Sequence, residues 1–112
     1  MKLLLALAIV FMPAFQASYV PVSPVLSATA DGEAFIITFE AGADRTCTIF
    51  TQLDTREETV ACADLFPNQS VIEHNWFDIP KLEKEWSVYA AVGYPKGEDY
   101  YIAESRRIRV RR

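Results

Sequence analysis

Few residues in this chain are of a type and spacing that could do chemistry. It carries two cysteines, Cys47 and Cys62, one histidine, His74, and fifteen carboxylates, within 112 residues. A lone histidine, with no serine or cysteine nucleophile in a recognisable motif, reads as a satisfied or exposed strand residue rather than a general base. The acids scatter as Glu57-Glu58, Glu83/Glu85 and Glu98-Asp99. Chance pairs are expected among so many, so they read as solvated faces and turns rather than as the spaced carboxylate pair of a glycosidase. No calcium loop or HExxH motif is present. The sequence therefore predicts no catalytic residue, no metal site and no cofactor: the protein is expected not to be an enzyme.

The cysteines have a simpler use. They form an even pair in a chain that opens with an export pattern, which predicts a structural Cys47–Cys62 disulfide. A loop of that size gains about 3 kcal/mol from closure. The C-x-x-C spacing of redox and zinc sites is absent. Asn68-Gln69-Ser70 is an N-glycosylation sequon placed just after Pro67, in a turn-like stretch that should expose the asparagine and make the product a glycoprotein.

Charge is uneven. Arg106, Arg107, Arg109, Arg111 and Arg112 put five of the chain's 11 basic residues at its end. On a strand, Arg107, Arg109 and Arg111 share one face, opposite Ile108 and Val110. Such a stripe suits an anionic glycan, acidic head groups or an acidic extracellular protein. It also suits an edge strand guarded by charge, or arginines paired with the domain's own acids. Nucleic acid is not expected, because the chain as a whole is acidic, at −4. Tyr94, Tyr100 and Tyr101 cluster around a predicted hairpin, Tyr94–Ile102, as a second candidate contact surface.

These residues must be held by something. Met1-Lys2, the apolar run Leu3–Met12, Pro13 and then AFQAS form the three-part pattern of a secretory signal over residues 1–17. The apolar run is about half the roughly 20 residues of a membrane span, so no transmembrane segment is expected. Residues 18–112 read as one domain. Turn residues separate short alternating runs: Val20–Ser27 with two prolines, Ala34–Glu40, Arg45–Gln52, Glu57–Leu65, Ser70–Ile79, Trp86–Tyr94 and Tyr100–Val110. Asp31-Gly32 and Pro95-Lys96-Gly97 are predicted turns. In Ser70–Ile79, Val71/Glu73 and Ile72/His74/Trp76 compete for the inward face. The expectation is an all-β, seven-stranded immunoglobulin-like β-sandwich.

The order of these features resembles a fibronectin type III domain. The second strand, AFIITFE, places Phe39 where that family carries a core tryptophan. The segment FDIPKLEKEWSVYAAV, Phe77–Val92, is similar to the family's sequence around its tyrosine corner. The resemblance implies that Trp86 takes the corner position, where an indole can donate a hydrogen bond but not accept one. The disulfide departs from the family and keeps another immunoglobulin-like sandwich open. Leu53-Asp54-Thr55 looks like the short acidic tripeptides by which some immunoglobulin-superfamily adhesion domains engage integrins. What the resemblance implies is a secreted, extracellular, non-enzymatic binding module recognising an extracellular or cell-surface partner. A self-associating structural or antigenic surface protein, or a small secreted inhibitor or effector, are the alternatives.

Overall fold

Alternation of apolar and polar residues along these runs becomes the two faces of two antiparallel sheets. The structure is a computed structural model that describes residues 19–29, 34–75 and 85–111. Its strands are β1 (Val25–Ala28), β2 (Ala34–Thr38), β3 (Arg45–Gln52), β4 (Glu58–Asp64), β5 (Val71–Asn75), β6 (Glu85–Lys96), β7 (Asp99–Glu104) and β8 (Ile108–Arg111). One sheet has the order β1-β2-β5. The other runs β4-β3-β6-β7, with β8 also paired to β6, and the two pack as a sandwich. No helix among the described residues is long and apolar enough to cross a membrane.

The core lies between the sheets. Phe35 and Ile37 of β2, followed by Phe39, face Phe50 of β3 and Trp86, Val88, Ala90 and Val92 of β6, all buried. Phe35 and Phe50 meet edge-on with centroids 5.4 Å apart, tying one sheet to the other. β5 resolves its competing registers in favour of Ile72 and His74, which stand opposite Ile37 and Phe35. Val71 and Glu73 are exposed. That choice follows from pairing with β2, whose inward face is set by its own aromatic and branched residues.

Three expectations shift. Both prolines of Val20–Ser27 precede β1, because a residue without an N–H cannot donate to the ladder. The β6–β7 turn is Gly97-Glu98, with Pro95 and Lys96 still in β6 opposite Tyr100 and Asp99. Gly97 has φ +62° and Glu98 does not, the pattern of a type II′ hairpin turn. There are eight strands among the described residues rather than seven, because Tyr100–Val110 is divided into β7 and β8. The fifth strand is described as far as Asn75, and the rest of Ser70–Ile79 lies outside the described residues. The signal at 1–17, the Asp31-Gly32 turn, the corner segment 76–84 and Arg112 lie outside the described residues.

The disulfide joins β3 to β4. Leu65 N–H donates to the Asp44 carbonyl and Gln52 N–H to the Glu57 carbonyl, at 2.9 and 2.8 Å. Even-numbered residues of β3 therefore occupy the hydrogen-bonded pairs, and odd-numbered ones the closer, unbonded pairs. Cys47 opposite Cys62 is one of the latter, with Cα atoms 4.0 Å apart, and the two are bridged. Thr46 and Thr48, at 1% and 0% exposure, face the core, so the bridge sits on the outer surface of the sheet. It ties neighbouring strands rather than the two sheets.

Candidate functional site

The division of the last strand is a β-bulge. Ala91 stands opposite Glu104, and Ser105 N–H donates to the Ala90 carbonyl at 2.8 Å. Two residues back along β6, Val88 stands opposite Ile108. Tyr89 alone therefore faces two residues, Arg106 and Arg107. The Ser105 hydroxyl stabilises the bulge: it accepts the Ala90 N–H at 2.8 Å and donates to the Arg106 carbonyl at 3.0 Å.

The extra residue inverts the alternation of the chain. Along β7 the even residues Tyr100, Ile102 and Glu104 point outward; along β8 the odd residues Arg109 and Arg111 do. Ile108 and Val110 consequently turn inward and pack against the core. Without the bulge they would face water. At the bulge, both arginines are exposed. The Arg107 guanidinium lies 4.3 Å from the centre of the Tyr89 ring, a cation–π contact on the sheet's outer face. Arg106 makes no ion pair among the described residues.

Beside the bulge is a cleft of about 310 Å³, lined by Pro24, Val25, Leu26, Arg106, Arg107 and Ile108. Its opposite wall is β1, the end strand of the other sheet. The cleft thus combines apolar side chains, a strand edge and two arginine residues.

The other predicted arginines are placed differently. Arg109 approaches Glu85 at 3.8 Å, an exposed pair of small energetic weight. Arg111 interacts within the domain as well. The tyrosines divide too. Tyr94 is not a surface residue: it is 1% exposed and its hydroxyl donates to the Glu40 carbonyl at 2.9 Å. Desolvation raises its pKa. Tyr101 faces inward at the sandwich rim, against the core and edge-on to Tyr19, 5.0 Å between centroids. Tyr100 is half exposed, yet it is committed within the fold. Its ring lies over Gly93, where any Cβ would collide with it, and its hydroxyl donates to Asp44 Oδ1 at 2.6 Å. Burial, then the Asp44 carboxylate, push its pKa up to about 12. The hairpin therefore offers less free aromatic surface than its sequence implies.

Trp86 and Phe39 are both core residues, at 3% and 8% exposure. The Trp86 indole N–H has no acceptor among the described residues. Asn68 is exposed. Asp54 is exposed at the β3–β4 turn, with Oδ1 accepting the Thr55 N–H at 2.8 Å. His74 reaches across the sandwich to Thr48, with Nδ1 2.6 Å from its hydroxyl oxygen. Desolvation lowers its pKa. No group of metal-ligating side chains assembles among the described residues.

Sequence reasoning missed Pro24, Val25, Leu26, Tyr89 and Ser105 as parts of one site. Only Ser105 interrupting an apolar–charged alternation could have hinted at the bulge. Comparison with protein-family models, curated proteins and solved structures returned no match.

Proposed function

We propose that this is a secreted, non-enzymatic binding module of fibronectin type III type that holds an acidic segment of an extracellular protein at the β7–β8 bulge. The single observation carrying the reading is the cleft between β1 and the bulge, lined by Arg106 and Arg107 together with Pro24, Val25, Leu26 and Ile108. Two arginines within an acidic chain of pI 4.9 make a local positive site rather than a general one. The apolar lining gives a protein segment something to bury, which a sulfated glycan would leave bare. Bulges recur where a strand must re-aim a side chain, and here one aims two.

Strand order supports the family. In a constant-type immunoglobulin domain the fourth strand belongs to the sheet of the first, second and fifth. Here β4 pairs with β3 instead. Phe39 and Trp86 occupy the same core cluster, in line with the resemblance at those positions. Export is supported by the residue pattern at 1–17 and by a disulfide, which persists in oxidising compartments.

The test is capture of extracellular and cell-surface proteins by the secreted chain, beside R106E/R107E and R109E/R111E variants, at two salt concentrations. A partner lost with R106E/R107E and at high salt, but retained by R109E/R111E, is the expected result. Binding of a sulfated glycan in place of protein would replace the partner class. A partner retained by both variants would overturn the bulge as the site.

A further inference from the structure

We infer that Phe66 is the surface on which the first sugar of an Asn68-linked glycan stacks, so that the modification fastens the connection between β4 and β5. This rests on the proposed export of the chain, which alone brings Asn68 to a glycosylating compartment.

Phe66 is the most exposed aromatic residue among those described, at 74%. A ring so open to water gains nothing from the core. It stands at the first position of a tight turn, Phe66-Pro67-Asn68-Gln69, closed by a hydrogen bond from Gln69 N–H to the Phe66 carbonyl at 3.0 Å. Pro67 presets the second position. Asn68, at the third, is not among the residues with positive φ, which makes the turn type I.

The turn is held from several sides. Gln69, the middle residue of the sequon, accepts the Phe66 N–H through Oε1 and donates from Nε2 to the Val71 carbonyl, both at 3.1 Å. Gly42 N–H donates to the Pro67 carbonyl and Phe39 N–H to the Ser70 carbonyl, each at 2.9 Å. The sequon's neighbours are thus engaged, while the Asn68 side chain makes no hydrogen bond of its own among the described residues. Its amide is left to take a sugar.

Two residues apart, the Cα atoms of Phe66 and Asn68 are separated by at most about 7.6 Å. A pyranose linked to the Asn68 amide lies within that span. N-acetylglucosamine presents a face of axial C–H bonds, and an aromatic face is electron-rich, so the two attract as well as exclude water. The turn backbone is already ordered by its hydrogen bonds. Stacking therefore costs little conformational entropy.

The experiment compares four secreted chains: the parent, N68Q, F66A and F66A/N68Q. Glycans are trimmed enzymatically to a single N-acetylglucosamine before melting. The sugar is expected to raise Tm by about 4 °C in the Phe66 background, and by under about 1 °C when Phe66 is replaced by alanine. F66A should itself fold, since its ring is outside the core. Proton NMR gives an independent readout: ring protons of the sugar shift upfield in the parent and not in F66A. Equal Tm increments in both backgrounds, or unshifted sugar protons, would overturn the stacking while leaving Asn68 glycosylated. A secreted parent carrying no glycan mass would overturn it together with the Asn68 assignment.

Discussion

Trp86, His74 and Tyr100 show how one residue's surroundings decide its use. Trp86 is enclosed by the core, so Trp86→Ala should destabilise the fold by about 3–5 kcal/mol in denaturant titration. A change under about 0.5 kcal/mol would move the indole out of the core. His74 spans the two sheets through Thr48, and burial favours its neutral form. With the folded pKa below the usual 6.5, its contribution is fully present above pH 6.5 and declines as pH falls from there toward the folded value. Replacement with glutamine should flatten that part of the stability–pH curve. An unchanged slope would assign the decline to other groups. Tyr100 should ionise near pH 12 in absorbance titration, held back by burial and Asp44. Tyr100→Phe should remove this latest-titrating step; its persistence would place the step on another tyrosine.

At the scale of elements, the β3–β4 pair and the β7–β8 bulge do opposite things to a sheet. The disulfide locks two neighbouring strands in one register at an unbonded position. Its reduction should lower Tm by roughly 10 °C or more, from about 3 kcal/mol of loop closure in a domain of this size. An unchanged melting curve would mean that hydrogen bonds alone keep β4 in place. The bulge instead shifts the register of the last strand by one residue. It thereby allows Ile108 and Val110 to pack against the core while Arg106 and Arg107 both reach the surface. The isolated alternation of IRVR pointed to the correct inward residues, yet it held no sign that Tyr100–Glu104 obeys the opposite parity. Parity is a property of the chain only until a partner strand skips a residue.

For the whole molecule, the pairings that matter most are distant in sequence: Phe35 with His74, and Thr48 with Ala90. Loop-closure entropy must be met before such pairs contribute, so the oxidised chain should refold from denaturant in milliseconds to seconds. Stopped-flow tryptophan fluorescence checks this, and complete refolding within microseconds would contradict it. The same non-local pairing brings β1 beside the bulge, making a cleft from segments at opposite ends of the domain.

Alternation and turn residues determined most of what the sequence could determine by itself. Ala34–Thr38, Arg45–Gln52 and the body of β6 were legible because period-two burial is written along the chain. The Cys47–Cys62 bridge was legible because two cysteines admit only one pairing. The all-β class followed from both. Tertiary structure alone decided that Tyr94 is buried, that Tyr100 is spent on Gly93 and Asp44, and that the arginines divide into a bulge pair and a strand pair. It also decided that β1 supplies the cleft's other wall. Each of these depends on which strand lies opposite and in what register, and that information belongs to a pair of segments rather than to either one.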